Sequence, residues 1–386
     1  MTVSSMSRAL RVAATSVVIG TLLTGSGARA VSITCQSWGA QPPNASPHNN
    51  YLTGLVAISN CDAWAVGAYS NGSSFRTLVE HWNGATWTIK PSPNVGSGDN
   101  FLQDVAADAP TDAWAVGFRM KAGVSRTLVE QWNGTTWATL PSPNVGVSRN
   151  QLHSVTAISP ANAWAVGFRS NSAGVSRTLI EHWNGASWQV QPSPDAGALD
   201  NRLQGIATAS AKSVWAVGSH FNGSADQTLI EHWNGTSWKV QPSPIVGPFD
   251  NGLNDVAATS ASDAWAVGVR WTAGDVARTL IEHWNGSSWT IGSSPNIGTV
   301  QDQLIAVAAT SSTNAWAVGF HDTNGGVART LIEHWNGTTW AVQPSLNVGS
   351  NDNFLQDVSA NSPRSAWTVG YHMKGTVART LAFHCC

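Results

Sequence analysis

A tryptophan motif of the form [AV]-W-[AT]-V-G returns seven times in the 386 residues, at Trp64, Trp114, Trp164, Trp215, Trp265, Trp316 and Trp367. The steps between them are 50, 50, 51, 50, 51 and 51 residues. Self-similarity at such a period outranks chain length as a guide to architecture, because each unit buries its apolar surface only against its neighbours. The seven units fill essentially all of the chain after residue 31 and leave no room for a separate catalytic domain.

Each unit reads as four short β-rich runs divided by turn residues. In the second these are Phe101–Ala107, Ala113–Phe118, Arg126–Trp132 and Trp137–Leu140, separated by Ala109-Pro110-Thr111-Asp112, Lys121-Ala122-Gly123 and Asn133-Gly134. Asn-Gly between alternating strands signals a two-residue type I′ hairpin. Four antiparallel strands repeated seven times predict an all-β chain folded as a seven-bladed β-propeller over residues 31–386. The last unit breaks off at Phe383-His384-Cys385-Cys386, before its Asn-Gly, while Cys35-Gln36-Ser37-Trp38-Gly39-Ala40-Gln41-Pro42 matches the outer strand of a blade. The N-terminal strand is therefore expected to complete the last blade, so that the ring closes on itself and no open edge remains.

Residues 1–30 have the parts of a secretory signal: Arg8 and Arg11, an apolar run from Val12 to Leu23, and a small-residue site ending at Ala30. No later stretch is apolar for long enough to span a bilayer. An exported, extracellular chain is expected. It carries 17 basic against 22 acidic residues after the signal, a net of −5, and its charged fraction is only 11%. No basic stripe points to nucleic acid or an anionic membrane. In an exported chain Cys35, Cys61, Cys385 and Cys386 are expected to form disulfides. Three of them fall at the cut hairpin, and Cys61 lies on the same edge of the ring. Cys35–Cys386 with Cys61–Cys385 is favoured, the other pairings staying open. A bridge across so long a loop is worth at most about 5 kcal/mol.

The repeat A-W-A-V-G … L-[IV]-E-H-W-N-G-[AST]-[ST]-W, over residues 35–386, resembles the secreted propellers of the BNR or Asp-box type and the photosystem-assembly-factor-like propellers. It departs from an Asp box in having Asn and Gly adjacent, with no residue between them.

Several residues invite a chemical reading. With Asn-Gly as a two-residue turn, His81 pairs with Thr86, His182 with Ser187, and His384 with Ser37 across the seam. A His beside a hydroxyl suggests a nucleophile and its base. Yet the pair recurs in all blades except the second, where Gln131 stands for His, and a repeated pair is better explained as a tie between strands. The same holds for Glu80, Glu130, Glu181, Glu231, Glu282 and Glu333, one per blade on the third strand, and for the third-strand arginines Arg76, Arg126, Arg177, Arg278, Arg329 and Arg379. The repeated tryptophans are expected to pack blade against blade.

Better candidates stand at one mouth of the central channel. Each inner strand is entered at Asn50, Asn100, Asn150, Asn201, Asn251, Asp302 or Asn353, and the second strand ends on the same rim with Tyr69, Arg119, Arg169, His220, Arg270, His321 or His372. The asparagines serve equally as loop caps through Asx turns. Trp271 is a tryptophan without counterpart in other repeats, expected in a connecting loop of this rim and suited to stacking on a sugar. These features predict a monomeric, non-enzymatic recognition module without cofactor, whose partner is a glycan or surface polymer. One alternative is a polysaccharide hydrolase or lyase using the inner-strand acids Asp104, Asp255 and Asp357, and another is a scaffold for a protein partner.

Overall fold

The computed structural model describes residues 41–385 apart from Asn324 and Arg364. Seven antiparallel sheets follow one another along the chain, each with its strands in sequence order. The first is built of Asn50–Ser59, Asp62–Ser70, Phe75–Trp82 and Trp87–Ile89. The runs read from the second unit appear as Asn100–Ala109, Asp112–Lys121, Val124–Trp132 and Trp137–Thr139. Six sheets have four strands and the last shows three, Asn353–Ser362, Ser365–Lys374 and Val377–Cys385. The chain is a seven-bladed β-propeller with no helix among the described residues.

Seven hydrophobic clusters hold the ring, one in each gap between consecutive blades. The motif tryptophans do this work as expected: Trp64 of blade one lies 4.8 Å from Trp132 and 5.2 Å from Trp137 of blade two. The contact repeats as Trp114 on Trp183 and Trp188, and as Trp265 on Trp335 and Trp340. Edge-on and tilted ring pairs of this kind add about 0.5–1.5 kcal/mol beyond the area they bury.

The glycine of the motif has a separate cause. Every first strand carries a β-bulge; in blade two the register slips between Leu102 and Asp104, which leaves Gln103 as the extra residue. The bulge presses the carbonyl oxygen of Phe101 against Gly117, where a Cβ would overlap it. Only glycine admits that approach.

The predicted closing strand, Cys35–Pro42, lies outside the described residues save for its last two. The segment after it is docked on blade seven. Thr380 N–H donates to Asn44 Oδ1 (3.2 Å), Ala378 N–H to Asn49 Oδ1 (3.0 Å), and the Arg379 guanidinium to the carbonyls of Ser46, Pro47 and His48 at 3.0–3.2 Å. Blade one makes the same bonds to its own outer segment: Thr77 N–H to Asn94 Oδ1 (3.0 Å), Phe75 N–H to Asp99 Oδ1 (2.8 Å), and Arg76 to the carbonyls of residues 96–98. Residues 42–49 thus occupy on blade seven the place that 92–99 hold on blade one.

The Asn-Gly hairpin differs from the two-residue turn expected. Trp82 faces Trp87 and His81 faces Thr88, so the loop is Asn83–Thr86 and the register moves by two. Asn83 Oδ1 accepts both the Ala85 and Thr86 N–H groups (3.0 and 2.9 Å), and Gly84 takes φ 90°. The side chain of Asn, by closing an Asx turn, makes a four-residue loop the stable solution and brings two indoles together across it.

Candidate functional site

The chemical-looking residues of the third strand are engaged inside the ring. With the register moved, the histidines reach the start of the second strand instead of a hydroxyl on the fourth. His81 Nε2 lies 2.8 Å from Asp62, His182 Nε2 2.9 Å from Asn162, His232 Nε2 2.9 Å from Ser213, and His283 Nε2 2.7 Å from Asp263, with Gln131 bonding Asp112 in the same way. Each ring lies against the motif tryptophan of its own blade, as His283 does on Trp265 at 3.9 Å and 21°. Burial holds His182, His232, His334 and His384 below the usual imidazole value, so they are neutral ties at pH 7.

The third-strand glutamates are fully buried, at 0% exposure. Each faces the preceding blade: Ser92 Oγ lies 2.8 Å from both the Glu130 carboxyl and Thr77 Oγ1, and Thr77 reaches the Pro93 carbonyl at 3.4 Å. The same chain recurs as Thr127–Ser142–Glu181, Thr178–Ser193–Glu231, Thr228–Ser243–Glu282 and Thr279–Ser294–Glu333. Loss of water pushes Glu130, Glu181, Glu231, Glu282 and Glu333 up to about 8. A neutral carboxyl then donates to the serine and the serine to the threonine; Thr77 and Thr127 donate on to the Pro93 and Pro143 carbonyls, Thr178 to Asp195 Oδ1 and Thr279 to Asn296 Oδ1. Both gaps flanking blade seven lack the chain. Phe383 stands in the glutamate's place opposite Ser345, and Glu80 looks toward a segment with Pro42 where the serine would be, so neither of its oxygens has a hydrogen bond among the described residues.

Toward the axis lies a cavity of 290 Å³ lined by the bulge residues, among them Thr53, Gln103, His153, Gln204, Asn254 and Gln356. Asp104, Asp255 and Asp357 also line it. Their carboxylates bond the next blade: Asp104 accepts Ser154 Oγ–H (2.7 Å) and Val155 N–H (3.0 Å), Asp255 accepts Val307 N–H (3.0 Å), and Asp357 accepts Leu55 N–H (2.7 Å). Among the described residues no group of three or more His, Cys, Asp or Glu is arranged to hold a metal.

The mouth brings together the residues expected there. Strand register sets Asn50 beside Tyr69, Asn100 beside Arg119, Asn150 beside Arg169, Asn201 beside His220, Asn251 beside Arg270, Asp302 beside His321 and Asn353 beside His372. The two rings differ in character. The inner ring is buried at 0–1% exposure and turned to the loop before the strand: Asn150 accepts Gly146 N–H (2.7 Å) and donates to the Gly146 carbonyl (2.9 Å), and Asp302 accepts Gly298 N–H (2.8 Å), while Asn251, among the described residues, makes only the bond to the Phe249 carbonyl (2.6 Å). The seven side chains are buried at the rim. The outer ring is half-buried, each residue keeping part of its surface in solvent. Burial lowers His220 and His372.

Trp271 lies within the second strand of blade five, Asp263–Thr272, opposite Ala277, and not in a connecting loop; its N–H donates to the Asp250 carbonyl (2.8 Å). That bond ties the strand end to the loop entering the blade. Sequence reading passed over an apolar fringe on the same rim: Phe221 is 37% exposed, Phe249 43%, and Val147 and Ile245 62%. Val147 and Phe249 stand in the segments entering blades three and five, and Phe221 ends the second strand of blade four.

No family model matches the chain, and no curated protein does. Solved structures do. One titled YCF48 bound to D1 peptide superposes with TM-score 0.53 at 14% identity, covering 90% of this chain and 100% of that one. An ulvan lyase complex superposes with TM-score 0.50 at 10% identity, covering 84% and 89%. A fucose-specific lectin from Aleuria aurantia reaches 0.47 at 14% identity, covering 77% and 95%. At such identities the likeness to the first two is one of fold alone, the β-propeller.

Proposed function

We propose that the chain is an exported, non-enzymatic recognition module that binds a glycan or surface polymer at the mouth ringed by Tyr69, Arg119, Arg169, His220, Arg270, His321 and His372, with Trp271 beside them. One observation carries this reading. The polar side chains repeated from blade to blade are, Glu80 apart, consumed in ties within and between blades, whereas the ring that varies between blades keeps part of its surface in solvent at the mouth. Similar shallow sites arrayed around a rigid ring favour a repetitive ligand, because several weak contacts give avidity. Export through residues 1–30, which lie outside the described residues, is part of the proposal.

A second reading, hydrolysis or elimination on a polysaccharide, rests on the three aspartates that line the axial cavity. Its weakness is that all three carboxylates are committed to the next blade. Residues 31–386 applied to a glycan and polysaccharide array, with reducing-sugar release assayed in the same wells, separate the readings. Saturable binding without release is expected. Release would favour the enzyme, and silence in both channels would overturn both sugar readings in favour of a protein partner.

A further inference from the structure

The mouth sets like charges side by side, and only half of them have partners. Arg119 stands directly opposite Arg126 on the neighbouring strand, Arg169 opposite Arg177, and Arg270 opposite Arg278. Residues directly opposite in an antiparallel pair share a face, and like charges there are destabilising. In each pair the third-strand arginine is satisfied. Arg126 donates to the Gly146 carbonyl (3.2 Å); Arg177 binds the carbonyls of Gly197 and Ala198 (2.9 Å each); Arg278 binds Asp302 (3.1 Å) and the carbonyls of Gly298 and Thr299. The second-strand member of each pair has neither a hydrogen bond nor an ion pair among the described residues, yet is half-buried.

Carboxylates nearby do not serve them. Asp99, Asp200 and Asp250, at the loops entering the blades, accept the backbone N–H groups of Phe75 (2.8 Å), Ser176 (2.7 Å) and Asp226 (2.8 Å). The residues beside Arg119 and Arg169 on the first strand are Asn100 and Asn150, whose amides cap loops; Asn251, beside Arg270, donates to the Phe249 carbonyl (2.6 Å) and makes no hydrogen bond to the guanidinium. A half-desolvated guanidinium next to a second cation, with no hydrogen bond among the described residues, is stabilised by an oxyanion from outside.

We infer that Arg119, Arg169 and Arg270 bind the carboxylate or sulfate groups of an acidic polysaccharide, their spread over blades two, three and five suiting a chain that carries anions at intervals. The inference rests on the proposed recognition role of the mouth and narrows its ligand from glycans at large to anionic ones. Planar guanidinium groups match carboxylate and sulfate edge-on, and the apolar fringe of Phe221, Phe249 and Val147 offers surface to the sugar rings between the charges.

The test compares polygalacturonate, dextran sulfate and uncharged dextran of matched length on the full mature chain. The variants are Arg119→Gln/Arg169→Gln/Arg270→Gln and, as a charge-matched control away from the mouth, Lys90→Gln/Lys212→Gln/Lys239→Gln. Urea unfolding monitors the fold of both. The inference expects at least one acidic polymer to bind more than tenfold tighter than dextran, with affinity falling as salt rises. It also expects the arginine variant to lose at least tenfold while the lysine variant loses less than twofold. Dextran binding as tightly as the acidic polymers, or equal losses in the two variants, would overturn the anionic inference and leave the recognition role standing. Single-stranded DNA binding tighter than either acidic polymer through the same arginines would overturn the choice of polysaccharide. Absence of binding to every glycan would remove the recognition role itself.

Discussion

Replacing Glu181 by Gln is the sharpest perturbation of the buried carboxyl chains. Its carboxyl is at 0% exposure with Ser142 Oγ 2.7 Å away, and burial pushes it up to about 8 from an ordinary 4.5. A folded-state value above the unfolded one means that folding takes up a proton. The stabilisation is complete below about 4.5, declines as the pH rises, and is gone above about 8, where the folded carboxyl itself ionises. Every pH unit crossed between those two values is worth about 1.4 kcal/mol, so one such glutamate costs the fold about 3 kcal/mol between pH 5 and pH 7. Glutamine keeps the shape and the hydrogen bond to the serine but does not titrate. The variant is therefore expected to match the parent near pH 4.5 and to become more stable than it by about 1.4 kcal/mol per pH unit up to pH 8, then level off. Urea unfolding followed by tryptophan fluorescence at half-unit pH steps measures the difference. A difference that is flat with pH, or a parent that gains on the variant at high pH, would mean the carboxylate is ionised in the fold and would refute the reasoning.

Three further outcomes are expected from the packing. Gly117→Ala drives a Cβ into the Phe101 carbonyl and is expected to lose at least about 2–3 kcal/mol in urea unfolding, since backbone is not free to move aside. Asn150→Ala strands the Gly146 N–H and carbonyl and is expected to cost about 1–3 kcal/mol, with faster amide exchange confined to the loop entering blade three. Cys61 is disulfide-bonded, while Cys35, Cys386 and the side chain of Cys385 lie outside the described residues. Non-reducing peptide mapping is expected to join Cys61 to Cys385 and Cys35 to Cys386; a Cys61–Cys35 peptide would contradict that pairing.

Much of the molecule was legible because periodicity is a one-dimensional signal. The fifty-residue step, the four runs per unit and the mouth register, which is fixed once two strands are antiparallel, required no knowledge of contacts across blades. The matching of Cys35–Pro42 to an outer strand puts the N-terminal chain at blade seven, where residues 42–49 dock. What escaped depends on distant atoms. The partner of Ser92 is Glu130, 38 residues away in the next blade, and nothing local marks it. The bulge that demands Gly117 is visible only when the first and second strands are paired. The Asn83 loop was misjudged because the dipeptide rule counts backbone angles and omits the side-chain oxygen that closes four residues instead of two. The mouth asparagines are buried and bonded to loops, as their Asx-turn chemistry leads one to expect.

The central claim is that recognition resides in the variable mouth while the repeated polar residues only hold the ring, and one paired comparison tests it. Arg169→Ala/His220→Ala/Trp271→Ala alters the mouth; Glu181→Gln/His232→Gln alters ties in the ring. Against whichever glycan the array yields, the account predicts that the mouth variant loses binding with its urea midpoint unchanged, and that the tie variant shifts the midpoint and binds as the parent does. Loss of binding in the tie variant with the mouth variant unaffected would contradict it.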